Sequence, residues 1–350
     1  MASIENKVNT LAKLGSLFGH LSNSNPWPGY ECGVNETEYS SGLEAITAAV
    51  HHNGWFTAES VRKALKAWSE ELTETKLNNW LSRYSTNNNS SSTVAIIAAG
   101  NIPLVGLHDL ISVLVSGNKA LLKVSSKDTV LMLMAVNYLK LLDEHLGNSI
   151  TVNHGKLSEF DAVIATGSNN SARYFDYYFK NKPSIIRKNR TSVAILTGSE
   201  SESELHGLAE DIFTYYGLGC RNVTKLYLPQ AYDLDKVFRA LYAFKDIANH
   251  NKYANNYDYH RAIWLMNNVD LVENGFILLK QDSSLVSPVG SLFYDYYQDE
   301  KTLRDELNTQ KDEIQCVVSS NDIPFGQAQK PGLSDYADGV DVLEFLLALP

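Results

Sequence analysis

Val94-Ala95-Ile96-Ile97-Ala98, a helical segment from about 104 to 115, the turn Gly117-Asn118 and then Ala120-Leu121-Leu122-Lys123-Val124 form the stretch that decides the fold. Both apolar runs are short and closed by turn residues, as strands buried on both faces are. A helix between two such runs predicts a β-α-β unit with parallel strands. Reading outward, 131–146 is the next helix, 162–165 another strand, and 170–179 a helix packed with aromatics. The alternation predicts an α/β fold with a doubly wound sheet.

A second unit starts near Ser192, with Val193-Ala194-Ile195-Leu196 as its first strand. Ser201-Glu202-Ser203-Glu204 fits a capping box, opening a helix over 201–216 that Gly217 can end in the left-handed conformation. Leu218-Gly219-Cys220 then leads into a strand over 223–228. Further elements are expected at 233–244 (helix), 276–279 (strand), 302–307 (helix) and 314–318 (strand), before a closing apolar segment. On the N-terminal side, the first 86 residues read as helices. Thr57 can cap one whose Val61, Leu65, Trp68 and Leu72 share a stripe. Asn87-Asn88-Asn89-Ser90-Ser91-Ser92 favours coil and marks a boundary. The resulting division is 1–92 (helical, packed on the doubly wound domain), 93–191 (doubly wound), 192–345 (second α/β domain) and 346–350 (tail).

Composition narrows the function classes. The 350 residues carry 30 Lys+Arg against 40 Asp+Glu, a net charge of −10, with 44% hydrophobic and 20% charged residues, so the chain is globular. An acidic balance argues against nucleic acid as a partner, because such binding rests on clustered cations and counterion release. Cys32, Cys220 and Cys316 are too few and too scattered for a disulfide framework, which suits a reducing, cytoplasmic setting. No signal-like or bilayer-length apolar stretch is read, so neither secretion nor a membrane is expected. The nine histidines show no metal-ligand spacing, and no metal is expected.

None of the common nucleotide, hydrolase or metalloprotease fingerprints is present. Five segments in order are more informative: Ala98-Ala99-Gly100-Asn101-Ile102-Pro103; Gly117 through Lys123-Val124-Ser125-Ser126; Ala165-Thr166-Gly167-Ser168; Gly217-Leu218-Gly219-Cys220; and Asp312-Glu313-Ile314. Together they resemble the aldehyde dehydrogenase superfamily, and more closely its acyl-CoA reductase branch, the fatty-acyl reductases of bacterial luminescence. The resemblance spans about 93–345. It implies an aldehyde dehydrogenase-like fold in which 93–191 is the nucleotide-binding domain and 192–345 the catalytic one, with an acyl thioester (acyl-CoA or an acyl carrier) as substrate and a homo-oligomeric assembly.

By residue type alone, Cys220 reads as a small hydrophobe, Asn101 as a turn residue and Lys123 as a solvated strand end. The resemblance gives them chemistry. Cys220 matches the thiol nucleophile, whose thioester hydride can reduce. Asn101 matches the oxyanion donor, acting with the backbone N–H of Cys220. Lys123, with Ser125 and Ser126 after it, matches the segment that holds a cofactor ribose. Gly167 and Ser168 precede a helix whose N-terminus suits a pyrophosphate. Glu313 matches a glutamate that holds the nicotinamide ribose, although Gln315-Cys316-Val317 replaces the family's Phe-Gly-Pro. His206, on the helix before Cys220, reads as a surface residue. Tyr174, Tyr177, Tyr178 and Tyr253 are candidates for lining an acyl tunnel.

Two departures from the family pattern carry further expectations. Hydrolytic relatives keep a glutamate that activates water, whereas Ile186-Arg187-Lys188-Asn189-Arg190-Thr191-Ser192 has no carboxylate, which favours reduction of the thioester over its hydrolysis. NAD-preferring relatives have a glutamate three residues after the ribose-binding lysine. Here Ser126 is followed by Lys127, which favours NADPH over NADH. The expectation is NADPH-dependent reduction of acyl-CoA to an aldehyde, as part of fatty acid metabolism. The alternatives are a hydrolytic aldehyde dehydrogenase and a catalytically silent nucleotide-binding partner protein of the same fold.

Overall fold

The computed structural model describes residues 3–85 and 91–350, so Met1, Ala2 and most of the expected 87–92 boundary lie outside the described residues. The chain divides into two units, one running to Lys188 and including Gly332–Pro350, the other Asn189–Pro331.

The first unit begins with α1 (Ile4–Ser22), α2 (Glu36–His52), α3 (Ala58–Glu71) and α4 (Glu74–Leu81). Ser3, Asn35, Thr57 and Thr73 cap them, each side chain accepting the backbone N–H three residues on. The expected stripe on α3 is largely inward: Val61, Leu65 and Leu72 are buried with Leu11, Leu14, Leu17 and Leu21 of α1.

The expected β-α-β unit is present as β1 (Thr93–Ile97), α5 (Leu107–Val115) and β2 (Lys119–Lys123). After it come α6 (Thr129–Leu142), α7 (Glu144–Gly147), β3 (Ile150–Val152), β4 (Ala162–Thr166), α8 (Asn169–Phe179) and β5 (Ser184–Arg187). The strands form one parallel sheet in the order β3-β2-β1-β4-β5. Alternation along the strands assigns its faces. Val94, Ile96, Ala120, Leu122, Ala162 and Ile164 join the core that holds α1, α3, α5 and α6. Ala95, Leu121, Val163 and Ala165 face the other way, with Phe160 and with Phe175 and Phe179 of α8. Strands β3 and β5 are additional to the expected elements, and two helices differ from expectation. Helix α5 starts at 107 because Leu104 is left-handed (φ +57°). The helix expected over 131–146 is broken at Asp143, which is extended and caps α7 instead.

The second unit contains β6 (Thr191–Ile195), α9 (Glu202–Phe213), β7 (Val223–Pro229), α10 (Leu234–Leu241), α11 (Asn251–Met266), β8 (Val272–Glu273), β9 (Leu278–Gln281), β10 (Ser291–Tyr297), α12 (Glu300–Thr309) and β11 (Ile314–Val318). Its sheet order is β11-β6-β7-β10-β9-β8, parallel except where β8 meets β9. The Ser201/Glu204 capping box opens α9 as the sequence implies. Helix α12 buries Leu303 and Leu307 on Val193, Ile195 and Ile314.

The closing segment corrects the domain reading, which carried the second domain to 345 and left 346–350 as a tail. Residues 332–350 return to the first unit, where α13 (Val342–Leu347) buries Val342, Leu343 and Leu346 in its core. At about 1.5–3 kcal/mol for each fully buried apolar side chain, these residues cannot be left in solvent. Polar pins accompany them: Asn118 Nδ2 donates to the Leu346 carbonyl at 3.0 Å, Tyr84 to Asp341 at 2.6 Å, and Trp80 to Tyr336 at 2.7 Å. No described helix is long and apolar enough to cross a membrane.

Candidate active site

In the first unit, parallel register brings three loops to one edge. Ile97 is level with Lys123 on β2 and Ala165 on β4, so residues 98–104, 124–128 and 167–168 all leave from the carboxyl ends of adjacent strands. From β1 the chain crosses to β2 on one side, and from β4 to β5 on the other, so the connections diverge there. Such a switch point is where open α/β sheets bind ligands. Six predicted site residues, Asn101, Lys123, Ser125, Ser126, Gly167 and Ser168, occupy this edge.

The loops are packed on one another. A Cβ at Gly100 would lie 2.7 Å from the Ser125 Cβ and 3.1 Å from the Lys127 Cβ, so only glycine allows this approach. The Ser125 hydroxyl accepts the Lys127 N–H at 3.3 Å, and the Ser125 carbonyl accepts from Asp128 N and the Thr129 hydroxyl, both at 3.0 Å. Asp128 ties this turn to the Asn101 loop, its buried carboxylate accepting the Leu104 N–H at 2.8 Å. Burial raises that carboxyl well above the usual range. Asn101, Ser126 and Lys127 are exposed; Lys123 and Ser125 are half-buried. Ser168 caps α8, its hydroxyl accepting the Ser171 N–H at 3.2 Å, and Gly167 donates to the Arg187 carbonyl. Arg187 in turn forms a buried two-pronged pair with Asp109 of α5, at 2.6 and 2.8 Å.

The other two predicted residues, Cys220 and Glu313, belong to the second unit. Cys220 precedes β7 and Glu313 immediately precedes β11; β6 lies between these strands, and all three are parallel. Both side chains are therefore at the amino edge of one sheet, and both are exposed. Cys220 is the one exposed thiol of the three. Cys32 and Cys316 are buried, and burial pushes the Cys316 thiol up, which disfavours its reactive thiolate.

Helix α9 stops at Phe213, earlier than the 216 expected, and Tyr215, Tyr216 and Gly217 are all left-handed (φ +54°, +60° and +77°) before the loop reaches Cys220. Gly217 has the conformation expected of it, but two tyrosines share it. The Tyr216 ring lies against His250, with centroids 4.3 Å apart. Asn222, completely buried, donates to the carbonyls that end α9 and accepts the Gly219 N–H at 2.7 Å. The Ser192 hydroxyl donates to the Cys220 carbonyl at 3.0 Å. The cavity beside this turn, lined by Ile212, Phe213, Tyr216, Tyr253 and Val289, holds about 20 Å³, room for about one water. It is too small for an acyl chain. Tyr174, Tyr177 and Tyr178 are exposed on α8, and His206 is exposed beside Phe244.

Asn222, Ser192 and Asp128 were not singled out in the sequence. Only the nearness of Asn222 to Cys220 and of Asp128 to the serine turn could have marked them. Among the described residues, no group of three or more His, Cys, Asp or Glu is placed to hold a metal ion.

A family model described as acyl-CoA reductase (LuxC) matches residues 40–253, more than half of the chain. The chain belongs to the acyl-CoA reductase (LuxC) family. As a LuxC-family member it is an oxidoreductase of the aldehyde and acyl group. No curated protein matches it. Solved aldehyde dehydrogenases share the fold at low identity. Aldehyde dehydrogenase 21 of Physcomitrella patens, solved with its reaction product succinate, is 12% identical with a TM-score of 0.62, covering 91% of this chain and 74% of its own. The indole-3-acetaldehyde dehydrogenase AldA of P. syringae, in complex with NAD+ and IAA, is 14% identical with a TM-score of 0.59, covering 87% and 69%. AldH of Staphylococcus aureus, in a substrate-bound state, is 19% identical with a TM-score of 0.51, covering 88% and 74%. These similarities confirm the α/β, aldehyde dehydrogenase-like fold read from the sequence.

Proposed function

We propose that this LuxC-family chain reduces an acyl thioester to the aldehyde through a thioester on Cys220. The observation that carries the reading is that Cys220 alone of the three thiols is exposed, on a loop held through hydrogen bonds by the buried side chains of Asn222 and Ser192. The Cys220 thiolate attacks the acyl carbon, a C–S bond forms, and the carrier leaves as its thiolate, CoA in the simplest case. Bound reduced nicotinamide would supply a hydride to the same carbon, after which the Cys220–acyl bond breaks, aldehyde departs and the thiolate is regenerated. The Asn101 amide and the Cys220 backbone N–H are assigned to the negative oxygen of each tetrahedral intermediate.

The first unit's loop edge fits a nicotinamide dinucleotide. The switch point, the glycine approach at Gly100, the N-terminus of α8 beyond Gly167 and Ser168, and the cations Lys123 and Lys127 are the features such a cofactor uses. Lys123, Ser125 and Ser126 are assigned to the adenosine ribose and Glu313 to the nicotinamide ribose. Ser126 beside Lys127 presents no carboxylate to a 2′-phosphate, which supports NADPH. The lack of a carboxylate over 186–192 supports reduction over hydrolysis. A reducing, cytoplasmic compartment suits a thiol nucleophile.

Turnover of acyl-CoA with NADPH and with NADH, in the native enzyme and in Cys220→Ala, tests the reading. NADPH-preferring aldehyde formation that Cys220→Ala abolishes is expected. Full activity in Cys220→Ala would refute the covalent route. Release of free acid instead of aldehyde would favour hydrolysis, and an unreactive Cys220 with no turnover a silent partner protein.

A further inference from the structure

We propose that Asn222 is a positioning residue for the nucleophile loop: its buried amide joins the end of α9 to Gly219 and so sets where Cys220 stands. The proposal rests on Cys220 being the nucleophile.

The loop's path is costly. Every α-helix ends with carbonyls that have no partner within it. Here the chain leaves α9 through two left-handed tyrosines and a left-handed glycine, a conformation that costs L-residues about 1–2 kcal/mol each. Such a turn persists only where its surroundings over-determine it. The Asn222 Nδ2 lies 3.0 Å from the Asp211 carbonyl, 3.2 Å from that of Ile212 and 2.8 Å from that of Thr214, so two N–H groups are shared among three acceptors on either side of the helix end. Its Oδ1 accepts the Gly219 N–H at 2.7 Å, and its own backbone N–H donates to the Gly219 carbonyl at 3.1 Å. One completely buried side chain thus grips both ends of the segment 214–219.

The next residue is held from the other side. Ser192 of β6, also completely buried, donates its hydroxyl to the Cys220 carbonyl at 3.0 Å and its backbone N–H accompanies it, donating to the Asn222 carbonyl at 3.3 Å. Gly219 and Cys220 are therefore fixed as a pair against β6 and β7. The peptide between them carries the N–H assigned to the oxyanion, and a displacement of about 1 Å in such a group can cost on the order of 10²-fold in rate. A helix cap alone would account for the three carbonyl contacts. The bond to Gly219 is what extends the same amide to the nucleophile loop.

Asn222→Ala removes both ends of the grip, and Asn222→Asp keeps the acceptor for Gly219 while turning an oxygen toward three carbonyls. Each folded variant is compared with the native enzyme in kcat and KM for acyl-CoA, and in backbone hydrogen exchange over 215–220. Expected are a kcat lower by about 10- to 100-fold, a KM within about threefold, and faster exchange over 215–220 with β6 and β7 unchanged. Native kcat, a loss of activity that only tracks the folded fraction, or unchanged exchange over 215–220 would overturn the proposal. So would failure of both variants to fold, since the amide would then be a determinant of the fold. A fully active Cys220→Ala enzyme would refute the nucleophile assignment alone, and exchange over 215–220 would still report whether Asn222 holds the loop.

Discussion

Asp211 gives a pH dependence opposite in sign to that of most structural carboxylates. It is completely buried on α9, with Oδ2 accepting the Gly326 N–H at 2.7 Å and Oδ1 the Ala328 N–H at 3.0 Å. Burial outweighs these bonds and pushes its carboxyl from 3.8 up to about 6. A raised folded value means that protonation favours the folded state, so this stabilisation is full below the unfolded value and is lost as pH rises through 6. The rise of about two units, at about 1.4 kcal/mol each, amounts to about 3 kcal/mol, of which about 2 kcal/mol falls between pH 4.5 and 7.5. Asp211→Asn cannot titrate. It turns one N–H-bearing end toward a backbone donor, a fixed cost of about 1–3 kcal/mol. Urea unfolding of both proteins across that range isolates the group, because other titrations cancel in the difference. The native protein is expected to lose about 2 kcal/mol relative to Asp211→Asn on going from pH 4.5 to 7.5. A difference that is flat, or that moves the other way, would refute the burial argument.

Asp109→Ala should be strongly destabilising, since it leaves the buried Arg187 guanidinium without its carboxylate. About 3–5 kcal/mol is expected, a fall in Tm of about 6–20 °C, with partial recovery in the Asp109→Leu, Arg187→Leu double variant; a fall under about 2 °C would contradict the pairing. Ser126→Glu should raise the KM for NADPH at least about tenfold through repulsion of a 2′-phosphate while leaving NADH nearly unaffected, as steady-state titration of both cofactors would report. Gly100→Ala should force the Asn101 and Ser125 loops apart, at about 1–3 kcal/mol in unfolding free energy, and weaken cofactor binding measured by fluorescence; unchanged binding would separate Gly100 from the cofactor edge.

The fold was legible wherever local pattern and tertiary setting agree. The runs at 94–98 and 120–124 are apolar because β1 and β2 are covered on both faces, and that requirement is written in consecutive residues. Strands β3, β5 and β8, of two to four residues, carry too little periodicity to be read, and the seven-residue β10 is not legible either because its burial does not alternate, Ser291, Leu292 and Phe293 all being buried. Helix α11 was missed because its apolar and polar residues do not segregate: Tyr253 and Tyr257 are buried while Tyr259, Leu265 and Met266 are exposed. The C-terminal segment looks like a continuation of the second domain, and only long-range burial of Leu343 and Leu346 returns it to the first. At the candidate site the motif residues could be named in advance because each carries a chemical group with a known use. Their supports could not. Asn222 acts through hydrogen bonds to residues 3–11 positions away, and Asp128 through one to Leu104, so neither leaves a spacing that marks it.

The Cys220 assignment meets its most direct test in an intact-protein mass spectrum taken after mixing the enzyme with acyl-CoA without reduced nicotinamide. A single acyl group on the Cys220 peptide is expected, absent in Cys220→Ala and discharged as aldehyde when NADPH is added. No acyl adduct on Cys220, from an enzyme that still forms aldehyde from the same acyl-CoA, would contradict it.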